Sequence, residues 1–82
     1  MTNEQIDLFL TSETLPKVIN INFRNRNSIR GIFLTTNDFE DLKSKNLWRI
    51  LSETKIEEWK KTKDVGLARI YNGSDFTKLK AS

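Results

Sequence analysis

The stretch Ile70-Tyr71-Asn72-Gly73-Ser74-Asp75-Phe76-Thr77-Lys78-Leu79 decides how this chain folds. It reads as a strand, a tight turn at Asn72-Gly73 and a second strand with apolar residues at Phe76 and Leu79. Asn-Gly is the dipeptide of type I′ hairpin turns, which need positive φ at both central residues. Working outward, an alternating hairpin lies at Lys17–Leu34. Ile19, Ile21 and Phe23 share one face of its first strand and Asn20 and Asn22 take the other, the period of a half-buried strand. Asn25-Arg26-Asn27 supplies a turn, and Ser28–Thr36 returns as a strand with Ile29, Ile32, Phe33 and Leu34. Gly31 interrupts it, and an interior strand glycine marks a bulge or a sharp bend. Small barrels close through such bends.

The rest of the chain fits around these hairpins. Ile6, Phe9 and Leu10 fall at helical spacing within 3–12, Thr2 and Gln5 match a capping box, and Pro16 ends the segment. Thr36–Lys45 is polar and acidic, a loop with room for one helical turn. Leu47–Leu51 is a third strand. Thr54 and Glu57 repeat the capping-box pattern and Ile56, Trp59 and Lys60 follow helical spacing, so Lys55–Lys61 is read as a short helix, with an extended strand as the competitor. Leu67–Tyr71 and Asp75–Leu79 complete the set. The expectation is one domain, 1–82: a mainly β, strongly bent five-stranded barrel over 17–79, an N-terminal helix over 3–12, and a helical insertion at 52–64.

Composition narrows the chemistry. Eighty-two residues without cysteine or histidine leave no disulfide, no thiolate metal site and no imidazole for proton transfer near neutral pH. Fourteen basic against eleven acidic residues give a net charge of +3, mild for a nucleic-acid binder. No apolar run approaches the roughly 18–20 residues that span a bilayer, and the start lacks the basic character of a signal peptide. The expected location is the cytoplasm, with no membrane contact. No phosphate-binding glycine loop or nucleophile motif is present, and the adjacent Glu57 and Glu58 do not share a helix face. The expected protein is not an enzyme and carries no cofactor and no metal.

The two hairpins together resemble the Sm-like (Hfq-like) family of small β-barrels. Val18-Ile-Asn-Ile-Asn-Phe23 matches the family's first strand, and Gly31 stands at its strand glycine. Ile70, Gly73, Phe76 and Leu79 reproduce the spacing of its second motif, with Asn72 where arginine is usual. Arg26 replaces a turn glycine. Asp38 lies seven residues after Gly31, with Asn37 at the sixth, and Asp41 and Leu42 occupy the places of an aromatic residue and an asparagine. The resemblance implies a barrel that assembles into a ring through its edge strands. It also implies single-stranded RNA bases bound between the loop after the second strand and the 72–73 turn. Carried onto this chain, that pocket is Asn37, Asp38, Phe39, Asn72 and Gly73, with Arg24 and Arg26 as phosphate contacts.

Each of these residues also has a reading without a ligand. Asn72-Gly73 is a turn wherever it occurs, Phe39 and Leu42 lie three apart and suit an anchor for one helical turn, and arginines at a hairpin tip keep edges soluble. Trp48 suits the core of so small a domain. Trp59, on a helix with one exposed face, suits the anchor of a protein partner. Two functions therefore stand side by side: a self-associating module that binds single-stranded RNA, and a protein-interaction module that binds no nucleic acid.

Overall fold

The computed structural model describes residues 1–15 and 17–81. Pro16, read above as the end of the N-terminal segment, lies outside the described residues. The elements in chain order are α1 (Asn3–Phe9), β1 (Ile19–Phe23), β2 (Ile29–Phe33), α2 (Phe39–Ser44), β3 (Leu47–Ser52), α3 (Ile56–Thr62), β4 (Arg69–Asn72) and β5 (Phe76–Ala81). Short 3₁₀ turns precede α3, β4 and β5. Strand residues slightly outnumber α-helical ones, so the fold is mixed α/β rather than mainly β. No described helix is long and apolar enough to cross a membrane.

All five strands form one antiparallel sheet in the order β4-β3-β2-β1-β5. The sheet is not closed into a barrel, because β4 and β5 share no ladder. It curls nonetheless. Tyr71 on β4 and Phe23 on β1 are separated by β2 and β3, about 14 Å in a flat sheet at ~4.8 Å per strand. Their rings stand 5.5 Å apart. Phe23 also meets Phe76 edge-on at 5.2 Å. Aromatic side chains thus bridge the gap that backbone hydrogen bonds leave open.

Of the bulge or sharp bend expected at Gly31, no bulge forms: the β1–β2 ladder ends there in register at Ile19↔Gly31 and the β2–β3 ladder begins there at Gly31↔Ser52. A bulge sits instead on β5, where Thr77 is skipped between Asn22↔Lys78 and Phe23↔Phe76, and bulges sharpen local twist. Gly31 has a different reason to be glycine. A Cβ there would stand 2.9 Å from the Ile50 side chain and 2.5 Å from the Leu51 carbonyl oxygen.

Inside the curl lies the core: Ile6, Leu10, Ile19, Ile21, Phe33, Trp48, Ile50, Phe76 and Leu79. It follows the alternation seen in the sequence on β1, with Ile19 and Ile21, and on β3, with Trp48 and Ile50; on β5 the bulge at Thr77 brings Phe76 and Leu79, three apart, to the same side. The helix α1 covers it with Ile6, and the Thr2/Gln5 capping box forms as expected, Thr2 Oγ1 accepting from Gln5 N–H and Gln5 Oε1 from Thr2 N–H. The matching Thr54/Glu57 pattern does not form. The helix α3 begins after Lys55 with no side-chain cap, and Ser52 Oγ instead accepts from Thr54 N–H at the preceding 3₁₀ turn. The helix reading of this segment was nonetheless correct.

Candidate functional site

The loop after β2 is built around one ion pair. Arg49 on β3 donates from Nη1 to Asp38 Oδ1 at 2.7 Å and to Thr36 Oγ1 at 2.8 Å. The Thr36 hydroxyl donates in turn to the same Asp38 oxygen. That hydroxyl, then the guanidinium, holds the Asp38 carboxyl below the usual carboxylate range. Phe39, the first residue of α2, lays its ring edge-on against the buried Trp48 indole at 5.9 Å, with Lys43 Nζ 5.9 Å from its centroid. Asn37 is exposed. Hydrogen bonds to Glu40 and then Asp7 raise the pKa of Lys43, which ties α2 to α1.

The 72–73 segment is not the type I′ turn its dipeptide suggests. No glycine in the described chain has positive φ, and Gly73–Asp75 forms a 3₁₀ turn. Asn72 Oδ1 accepts from Ser74 N–H at 3.0 Å and from Ser74 Oγ at 2.8 Å, capping that turn. Gly73 is buried. Its N–H donates to the Asn46 carbonyl at 2.8 Å, and its own carbonyl accepts from the Met1 amino group at 3.1 Å. Glycine is required here because the backbone presses against Asn46, Ile6 and Trp48.

The five residues read as a base pocket are therefore close to one another through Trp48, which touches Phe39 and abuts Gly73. Their polar groups are mostly spent on one another and on the scaffold. The signal that would have revealed this is Arg49, the only charge within Leu47–Leu51, in a chain whose preceding loop is acidic.

At the hairpin tip, Arg24 Nη2 donates to the Ser74 carbonyl at 3.2 Å. Arg26 lies over Phe23 at 5.2 Å and Tyr71 at 5.7 Å. Neither arginine has a carboxylate partner among the described residues. They lie beside the aromatic seam, with Tyr71 a contact that sequence reasoning missed because β4 and β1 are remote in the sheet order.

A second region forms around the insertion. Trp59 is half-buried on α3 and lines a groove of about 390 Å³ with Leu15, Ile32, Phe33, Leu34, Thr35 and Thr36. Lys63 Nζ stands 5.5 Å from the Trp59 ring centroid. Leu34 and Leu51, on the opposite face of the sheet from Phe33 and Ile50, are also buried. This helical insertion thus accompanies a second apolar surface outside the curl.

Comparison with protein-family models, with curated proteins and with solved structures finds no match.

Proposed function

We propose that this chain is a non-catalytic binding module of Sm-like architecture that captures a protein partner at its Trp59 face. A helix followed by five antiparallel strands in one curled sheet supports the architecture. The observation that carries the function is the groove: a half-buried tryptophan lining an apolar trough of about 390 Å³, within the ~300–1,000 Å³ of ordinary binding sites. Tryptophan is favoured as an interface anchor because it brings a large apolar area and few rotatable bonds. The expected base-binding loop supports RNA less well, since Asp38, Phe39, Asn72 and Gly73 already have partners within the chain.

Selection of a randomised twelve-residue peptide library on the immobilised chain tests this reading. The expected result is an enriched family of sequences whose binding falls at least tenfold on Trp59→Ala, with the fold of the variant confirmed by its amide spectrum. No enrichment, or enrichment indifferent to Trp59, would refute it.

One observation favours single-stranded RNA as a second reading. Arg24 and Arg26 have no carboxylate partner and lie beside Phe23 and Tyr71, a combination of cation and aromatic faces suited to phosphates and bases. Electrophoretic titration with U-rich and A-rich RNAs at two salt concentrations tests it. Absence of a shift at micromolar protein and low salt rules it out.

A further inference from the structure

Five consecutive residues, 32–36, line the Trp59 groove. Successive side chains of a strand point to opposite faces, so a groove over one face would be lined by alternate residues. A groove lined by every residue runs along an edge, here that of the last two residues of β2 and of the chain that continues past Phe33 through 34–36. Among the described residues the pairing leaves an edge there without a ladder partner. The β1–β2 ladder ends at Ile19↔Gly31, whereas on the other side β2 stays paired with β3 through Phe33↔Ile50, and Leu34 N–H donates to the Arg49 carbonyl. In an antiparallel ladder, neighbours of a residue bonded toward one strand aim their N–H and C=O groups the other way. Phe33 and Thr35 therefore direct theirs toward the groove.

This edge also differs in composition from the two ends of the sheet. Proteins protect exposed strand edges with charge, and β4 carries Arg69 while β5 carries Lys78 and Lys80. Ile32, Phe33, Leu34, Thr35 and Thr36 carry no charge. The charge nearby is on α3 and is predominantly positive. Residues 55–63 hold four lysines and two glutamates. Lys60, Lys61 and Lys63 make no ion pair among the described residues, and Lys63 leans over Trp59.

Resting on the protein-interaction reading above, we propose that the groove takes an extended, acidic segment of a partner protein, added as a strand along residues 32–36. Its backbone pairs with Phe33 and Thr35, its apolar side chains pack on Trp59 and Leu15, and its carboxylates face Lys60, Lys61 and Lys63. Five residues of edge span about 16 Å at ~3.3 Å per residue, so a segment of five or six residues fills it.

The test titrates the isotope-labelled chain with three end-capped hexapeptides: alternating valine and glutamate, alternating valine and lysine, and the glutamate peptide N-methylated at alternate backbone nitrogens. The expected result is amide shifts concentrated at 32–36 and the Trp59 indole with the glutamate peptide. The lysine peptide binds at least tenfold more weakly, N-methylation removes binding, and Lys63→Glu narrows the charge preference. Equal binding of the lysine peptide, indifference to N-methylation, or shifts elsewhere would overturn the proposal. So would Trp59-dependent self-association in sedimentation, which would make a second copy the occupant. The two levels fail separately. If the library selection yields Trp59-dependent sequences that are basic or insensitive to N-methylation, partner capture stands and strand addition falls; if it yields nothing, both fall.

Discussion

Replacing Gly73 with alanine separates a turn requirement from a packing requirement, and the structure gives the magnitude. The added Cβ would stand 2.6 Å from Ile6 Cδ1 and 2.7 Å from Trp48 Nε1, and closer still to Asn46 Oδ1. None of the three can move cheaply. Ile6 and Trp48 are in the core. Asn46 has φ of 59°, accepts from Trp48 Nε1 at 2.9 Å and donates to the Met1 carbonyl at 3.0 Å. Overpacking a fitted interior costs about 1–3 kcal/mol, and stranding the buried Trp48 N–H adds about 1–3 kcal/mol. The sum, roughly 2–6 kcal/mol, is a large part of the ~4–12 kcal/mol expected for a domain of this size at 0.05–0.15 kcal/mol per residue. Urea unfolding followed by tryptophan fluorescence should show the midpoint falling sharply, and thermal unfolding a drop in Tm of about 8–48 °C at ~4–8 °C per kcal/mol. Gly73→Asn makes the test discriminating. Asparagine tolerates left-handed backbone, so a type I′ turn would accept it better than alanine. A packing limit predicts the reverse, since asparagine is larger. A Gly73→Ala protein within about 0.5 kcal/mol of the parent, the range of an ordinary surface change, or an asparagine variant more stable than the alanine one, would refute the reasoning.

Three further outcomes follow. Asp38 has a lowered folded-state pKa, so its contribution to stability is present above the unfolded value of about 3.9 and is lost as pH falls through the folded pKa; Asp38→Asn should flatten the acid limb of a Tm–pH profile below about pH 5, and an unchanged limb would count against the Arg49 pair as its origin. Phe39→Ala should lower stability by about 1–3 kcal/mol, less than the 3–5 kcal/mol of a fully buried phenylalanine, because its half-buried ring packs on Trp48; unaltered stability with weakened RNA binding would return Phe39 to the role of a stacking platform. Ile70 is 48% exposed on the unpaired edge of β4, so Ile70→Lys should abolish concentration-dependent sedimentation if the edge strands mediate self-association, and a parent chain already monomeric at every concentration would exclude that assembly.

The strands were legible because burial leaves a two-residue period in the sequence. Ile19, Ile21 and Phe23 on β1 announce both the strand and the side facing the core, whereas Phe76 and Leu79 on β5 lie three apart and share that side only because Thr77 is bulged out of the ladder. The capping box at Thr2 was legible for a similar reason, since its partners lie within one helical turn. The same motif at Thr54 failed because a competing local bond, Ser52 to Thr54, closes a 3₁₀ turn and starts α3 one residue later. Whether the sheet closes was not legible. Closure depends on how far β4 and β5 approach after curvature accumulates over five strands, and no local pattern reports that sum.

The candidate site shows a sharper version of the same limit. Composition identifies polar and aromatic residues in a loop, but not whether their hydrogen-bonding capacity is still available to a ligand. Asp38 looked available until Arg49 was placed across the sheet from it, and Asn72 until Ser74 turned back toward it. A buried or half-buried polar group must find a partner somewhere, and in a domain this small the scaffold itself supplies most of them. What remains unspent is therefore the better guide to function. By that criterion the arginines beside Phe23 and Tyr71 and the uncharged edge beneath Trp59 outrank the loop that the family resemblance favoured. The edge outranks the arginines, because Arg24 and Arg26 already find a carbonyl and two ring faces, whereas Phe33 and Thr35 line the groove that the proposed segment would fill.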